Sequence, residues 1–255
     1  ELALAERNLG NLLRAEPDSG PAEASWNRAR LLLRGLVQDQ PDVPAYRQEL
    51  GRLNNELGIL LASSRRLPAA DEAWTEALEQ QRRLHQADPA HPEYLLDLAR
   101  SLGNYGALLL NRNQPEKGEA SYREGIALLE PAAAAGKATA PMLEELVNIH
   151  ANLGALMEAL KKSAQAEKSW LRKLEVQELL VQQTPHNVAT RLKAAQSLNE
   201  LGHRLLNNMK FQEARAFYEK AVTPLRQAAA LRKGDKTLSG DLYIMQLNLA
   251  TAAGL

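Results

Sequence analysis

The stretch LGILLASSRRLPAADEAWTEA, residues 57–77, contains the pattern that decides the fold. Its glycine, Gly58, follows a leucine, and Trp74 comes sixteen positions later. The same arrangement returns every 48 residues without an insertion. The pairs are Leu9-Gly10, Leu57-Gly58, Tyr105-Gly106, Leu153-Gly154, Leu201-Gly202 and Leu249-Ala250, and the aromatic residues are Trp26, Trp74, Tyr122, Trp170 and Tyr218. One structural unit is therefore copied in tandem.

Each unit is predicted to contain two amphipathic helices. Apolar residues recur 8 and 1 positions before the small residue and 3 positions after it, which lines one face of a first helix. Breakers such as Pro68 and Pro115 separate it from a second helix that carries the aromatic residue. Pro131 and Pro224 are expected to shorten or kink their helices, and the junction at Gly136 is expected to be irregular. The predicted units are 1–40, 41–88, 89–136, 137–184 and 185–232, with a lone terminal helix in 233–255.

Composition excludes several classes of protein. The 31 basic and 31 acidic residues balance, so no net charge attracts the whole chain to nucleic acid or to an anionic membrane. No apolar run is long enough to span a bilayer, so no membrane insertion is predicted. The absence of cysteine excludes disulfides and thiolate metal sites, but it leaves the compartment open. Because the chain begins inside a first helix, we expect it to be an excerpt of a larger protein.

The repeated residues resemble the tetratricopeptide signature, as in Leu57, Gly58, Leu61, Ala70, Trp74 and Ala77. Lys173 departs from it, at a position where the other units have alanine or glycine. The resemblance implies an all-α fold, a right-handed α-solenoid of five antiparallel helix pairs and a final helix, forming one domain over 1–255. The unit is longer than the usual length of about 34 residues, so each helix is expected to gain two turns. The repeats are also similar to arrays fused to large bacterial serine/threonine protein kinases.

In this family the first helices line a concave groove, and polar positions on one stripe of those helices are the predicted partner-binding residues. Asn104 and Asn152 are the foremost candidates, because the family often holds an extended ligand with an asparagine at this position. The alternative is a solvated helix face on which Glu49 and Arg52 pair with each other. The full predicted set is Glu49, Arg52, Glu56, Asp97, Arg100, Asn104, Asn148, Asn152, Gln196 and Glu200.

No residue pattern indicates catalysis. The five histidines are scattered and lack the spacing of a zinc hydrolase. Gly136-Lys137 lacks the upstream glycine and the following hydroxyl residue of a phosphate-binding loop. The aromatic residues are predicted to fill the core rather than to stack on a ligand. We therefore predict no catalytic residue, cofactor or metal in this chain.

Three functions remain open at this stage. The first is a protein–protein interaction module that binds a protein or peptide in the concave groove. The second is a scaffold that forms homo-oligomers through its terminal helix, whose apolar residues cover more than one face. The third is the regulatory repeat region of a bacterial serine/threonine kinase. The apolar residues of the terminal helix are Leu242, Tyr243, Ile244, Met245, Leu247 and Leu249.

Overall fold

A computed structural model describes residues 1–232, together with Thr237, Gly240, Ile244 and 247–251. Within residues 1–232 the chain forms ten α-helices and no strand, which confirms the predicted all-α fold. Most of the predicted terminal helix over 233–255 lies outside the described residues. The helices are α1 (Leu2–Leu13), α2 (Gly20–Asp39), α3 (Pro44–Ser63), α4 (Leu67–Ala87), α5 (Pro92–Asn111), α6 (Pro115–Ala134), α7 (Ala140–Ala159), α8 (Ser163–Gln183), α9 (Val188–Asn207) and α10 (Phe211–Leu231).

Proline determines where several helices begin. Helices α3, α5 and α6 begin at Pro44, Pro92 and Pro115. Proline is favoured in the first turn because an N–H at that position would have no intrahelical partner. Pro131 and Pro224, in contrast, lie inside α6 and α10. These helices still extend over 20 and 21 residues, so the prolines do not shorten them, and the predicted kink stays a prediction.

The turn inside a unit has the same backbone geometry in four of the five units. One residue that is not glycine takes a positive φ in each of these turns, and the next N–H bonds back to the end of the first helix. In the second repeat unit, residues 41–88, for example, the N–H of Arg66 donates to the carbonyl of Leu61 at 2.8 Å. This bond satisfies a carbonyl that the helix end would leave unpaired. The positive-φ residues are Arg65 (57°), Asn113 (57°), Lys161 (58°) and Met209 (62°).

Consecutive helices pack as antiparallel pairs, and the chain divides into two compact units. The first compact unit, Glu1–Ala135, contains the pairs α1/α2, α3/α4 and α5/α6, and neighbouring pairs meet through α2 with α3 and α4 with α5. The second, Gly136–Leu255, contains α7/α8 and α9/α10, which meet through α8 and α9. The boundary falls at the junction that the sequence marks as irregular, where Gly136 has a φ of 66°.

The aromatic residue of each unit packs against the small residue sixteen positions earlier. A Cβ on Gly58 would lie 2.6 Å from the ring of Trp74, and one on Gly106 would lie 2.6 Å from the ring of Tyr122. Glycine is therefore required inside these helices because the partner ring occupies the space of a side chain. Burial raises the pKa of Tyr122 to about 12. All five aromatic residues, Trp26, Trp74, Tyr122, Trp170 and Tyr218, are buried, which confirms their predicted place in the core.

Candidate binding groove

The first compact unit contains an open groove of about 420 Å³. Side chains from the first helices α1, α3 and α5 form most of its lining, and α4 contributes one glutamine. We call this surface the α1/α3/α5 groove. Its lining residues are Arg7, Asn11, Arg14, Arg52, Leu53, Asn55, Glu56, Gln81, Asp97, Arg100 and Ser101.

Ion pairs between successive first helices form part of the groove wall. Arg7 of α1 pairs with Glu49 of α3, and Arg14, the residue directly after α1, lies 2.6 Å from Glu56 of α3. On the next helix, Arg52 lies 2.7 Å from the buried carboxylate of Asp97. Each of these pairs joins an arginine to an acid on the following unit. The charged side chains therefore hold neighbouring units together as well as line the groove.

Glu49 and Arg52 also approach each other, at 3.9 Å, as the solvated-face alternative proposed. Arg52 is closer to α5, because it lies 3.0 Å from Glu93 in addition to its bond with Asp97. Hydrogen bonds from Gln48 and Arg52 lower the pKa of Glu93 from its ordinary value. Pairing within α3 is thus the weaker part of a network that extends across units.

An asparagine that the sequence analysis missed, Asn55, lies on the groove surface with a fixed amide orientation. Its Oδ1 accepts a hydrogen bond from Trp74 Nε1 at 3.0 Å and another from Asn104 Nδ2 at 2.9 Å. Both lone pairs of the amide oxygen are therefore used. The Nδ2 of Asn55 is the part of the amide that remains to donate to a ligand.

Two further groove residues carry buried polar atoms without a hydrogen-bond partner in the described part of the chain. These atoms are Oε1 of Gln81, which is 2% exposed, and Oγ of Ser101, which is 0% exposed. The Nε of Arg7 is unpartnered in the same sense. A buried polar atom without a partner destabilises a protein by about 1–3 kcal/mol. These atoms lie just beneath the groove surface, so a polar ligand can bind them only once their side chains rotate toward it.

The predicted site residues fall in both compact units. Asn104 is half-buried and bonds to Asn55, whereas Asn152 is exposed on α7. In the first compact unit, Arg52, Glu56, Asp97 and Arg100 line the groove, while Glu49 and Asn104 contact residues that do. In the second compact unit, the predicted residues are all exposed: Asn148, Asn152, Gln196 and Glu200.

One pattern in the sequence could have identified two of the groove residues that the sequence analysis missed. Arg7 and Arg14 each have a glutamate 42 residues further along the chain, at Glu49 and Glu56, and the structure pairs them across units. A search for opposite charges at this separation would have found these arginines. Gln81 and Ser101 left no such signal, because their importance comes from burial without a partner.

No cluster of His, Asp or Glu suited to a metal ion occurs among the described residues. None of the helices in that part of the chain is both long enough and apolar enough to cross a bilayer.

Comparison with known proteins supports the fold. No protein-family profile matches the sequence, and no curated protein does. Among solved structures, the chain is similar to BtubC (BKLC) from P. vanneervenii, with 18% identity, 91% of this chain and 88% of that chain covered, and a TM-score of 0.58. It is also similar to TTC0263, a TPR protein of Thermus thermophilus, with 18% identity, 96% and 99% covered, and a TM-score of 0.41. The helix pairs and their repeated signature make this chain a tetratricopeptide-like helical repeat array.

Proposed function

We propose that this chain is a protein-interaction module that binds an extended segment of a partner protein in the α1/α3/α5 groove. The observation that carries the proposal is a set of polar atoms with bonding capacity left at the groove. These are Nδ2 of Asn55 on its wall and, buried just beneath it, Oε1 of Gln81, Oγ of Ser101 and Nε of Arg7. The proposal assigns binding and no catalysis.

A polypeptide backbone matches the chemistry of these atoms. The oxygen of Gln81 requires a donor, whereas Asn55 and Arg7 require acceptors, and Ser101 can serve as either. An extended backbone presents N–H and C=O groups in alternation, so one short segment satisfies all four once the buried side chains rotate toward it. The arginines of the groove wall largely pair with acids on the neighbouring unit, which lowers the attraction for a strongly acidic ligand.

The decisive experiment uses peptides selected for binding from a random library. We expect Gln81→Leu to weaken the selected peptides by roughly tenfold or more, because it removes a buried acceptor from the groove wall. Isothermal titration calorimetry measures the affinity. Gln177→Leu is the matched control, because Gln177 has the same repeat position in the second compact unit and is 3% exposed. It should leave the affinity unchanged.

Asn104 has a different role in this proposal from the one predicted. Its amide fixes Asn55 instead of contacting the ligand directly, so Asn104→Ala should weaken the same peptides less than Asn55→Ala does. Selected peptides that bind Gln81→Leu and Asn55→Ala as tightly as the parent would place the binding surface elsewhere. In that case the groove proposal would be wrong.

Self-association is the second candidate function. Ile244 and Leu247, both from the terminal helix, are 55% and 47% exposed. Leu242, Tyr243 and Met245 of the same helix lie outside the described residues. Light scattering over a concentration series tests this candidate, and a monomeric mass at every concentration would eliminate it. The third possibility, a repeat region that regulates a kinase, stays a prediction.

A further inference from the structure

The indole of Trp170 differs from the two other tryptophan indoles in its surroundings. In the first compact unit, Trp26 donates to Asn11 Oδ1 at 3.2 Å and Trp74 donates to Asn55 Oδ1 at 3.0 Å. Trp170 is 8% exposed, and its Nε1 has no acceptor among the residues that the structure describes. The two repeat positions that hold those asparagines are Ala151 and Ala155 in the unit of Trp170.

Two cations lie over the ring of Trp170. The guanidinium of Arg204 is 4.3 Å from the ring centroid, and Nζ of Lys173 is 5.5 Å from it. Lys173 occupies the position where every other unit has alanine or glycine, and only 12% of its side chain is exposed. Burial lowers the pKa of Lys173 from its ordinary value, and the nearby Glu200 opposes this shift. The fourth repeat unit therefore differs from the others in placing a largely buried lysine where they have a small side chain.

The ion pairs between these cations and their neighbouring carboxylates are weak. Glu200 lies 3.6 Å from Lys173, and Glu158 lies 3.3 Å from Arg204. The two glutamate side chains are 45% and 55% exposed, and an ion pair with a solvated carboxylate at such a distance contributes little binding energy. An incoming anion can therefore compete with both glutamates.

A small cavity lies at this cluster. Its volume is about 10 Å³, close to the space needed for a single water molecule. The cavity thus admits one oxygen atom, while the rest of a ligand would remain in solvent. Its lining residues are Trp170, Lys173, Leu174, Ser197, Glu200, Leu201 and Arg204.

We propose that Trp170, Lys173 and Arg204 form an oxyanion site that accepts the carboxylate group of a ligand. The indole N–H, the ammonium and the guanidinium are all donors without acceptor capacity, so each binds an acceptor, and the two cations favour an acceptor of negative charge. One carboxylate oxygen fills the water-sized cavity, and the other lies at the cations where Glu200 and Glu158 now pair. This site lies in the second compact unit and does not depend on the α1/α3/α5 groove.

The test follows the indole signals of the whole chain by nitrogen-15 NMR. The chain has 3 tryptophans, so the indole region contains three signals, and Trp170→Phe identifies the one from Trp170. We expect sodium acetate to shift that signal, whereas sodium chloride at equal ionic strength should not. N-acetylglutamate α-amide is the second probe. Tighter binding of this probe than of acetate indicates a protein side chain as the natural ligand, and equal binding indicates a free carboxylate.

Two variants distinguish acetate binding at Trp170 from an effect of acetate on the whole protein. Lys173→Ala restores the small residue of the other units, so it should fold normally and bind acetate roughly tenfold or more weakly. Ala151→Asn should supply Trp170 with the acceptor that Asn55 gives Trp74, and so abolish the acetate shift without lowering the melting temperature. An unmoved Trp170 signal would overturn the proposal, as would an equal response of all three indoles or undiminished binding by Lys173→Ala.

Discussion

At the scale of single residues, the contact between the small residue and the aromatic ring holds each helix pair at its short separation. Gly58, Gly106, Gly154 and Gly202 all place the position of a Cβ within 2.6–2.7 Å of the ring in their own unit. Real side chains do not tolerate such distances. Glycine is unfavourable inside a helix by about 0.5–1 kcal/mol relative to alanine, and the buried ring offsets this effect.

Gly58→Ala tests this contact. The added methyl group would meet the ring of Trp74, and we expect the free energy of unfolding to fall by about 1–3 kcal/mol through overpacking. Gly35→Ala is the matched control, because it lies inside α2 with no atom within 4 Å of its Cβ position. This variant should gain about 0.5–1 kcal/mol from helix propensity. Urea unfolding followed by circular dichroism measures both, and equal values for the two variants would refute the role of the ring.

At the scale of helices and turns, four of the turns inside repeat units contain one residue with a positive φ. The left-handed backbone of that residue sets the direction in which the second helix of the unit begins. Met209 takes a φ of 62° and Asn113 takes 57°. A left-handed conformation destabilises most residues by about 1–2 kcal/mol, whereas asparagine tolerates it better. Three of the four turns therefore contain a residue poorly suited to the required backbone.

Met209→Gly should stabilise the protein. Met209 is 73% exposed, so its side chain contributes little packing. The relief of backbone strain, reduced by the greater freedom of glycine in the unfolded chain, should raise the free energy of unfolding by about 0.5–1 kcal/mol. Asn113→Gly is the control and should gain less. Thermal melting distinguishes the two variants, and a larger gain for Asn113→Gly would contradict the strain argument.

Ion pairs between units should make the stability depend on pH in the acid range. The pKa of Glu93 is lowered from 4.5 by hydrogen bonds from Gln48 and Arg52. A group whose folded-state pKa is lowered stabilises the protein above its unfolded value, and this contribution is lost as the pH falls through the folded value. We therefore expect the melting temperature to decrease below about pH 4.5.

Glu93→Gln isolates the part of this effect that comes from one residue. It should lower the melting temperature slightly at pH 7 and should reduce the decrease on acidification. Glu16→Gln is a suitable control, because Glu16 is an exposed glutamate for which the described residues show no ion pair. If Glu93→Gln followed the same pH profile as the parent, the ion pair with Arg52 would contribute nothing to stability.

At the scale of the whole molecule, the neutral net charge conceals two oppositely charged halves. Residues 1–135 carry 20 acidic and 15 basic side chains, whereas residues 136–255 carry 11 and 16. Each compact unit contains its own packed helix pairs, and repeat proteins are stabilised mainly by contacts between neighbouring units.

A fragment of residues 1–135 should therefore fold alone. We expect it to unfold cooperatively on heating and to bind an anion exchanger at pH 7, because its charge is negative. A shorter fragment, 1–111, is the control. It lacks α6 and so uncovers the apolar face of α5, and its melting temperature should be lower. If both fragments melted alike, the α5/α6 pair would not stabilise this unit.

The sequence alone determined the helix pairs, their positions and the buried aromatic row, because the spacing of apolar residues along one helix fixes which face is buried. It did not determine the pairing of polar groups. Asn104 and Asn55 lie 49 residues apart, and Arg7 and Glu49 lie 42 apart, so their contacts depend on how successive units stack. The same holds for Gln81, Ser101 and the indole of Trp170, whose importance is that burial leaves them without a partner. Only the tertiary structure decides this, because desolvation of a polar atom depends on the side chains that surround it from other helices.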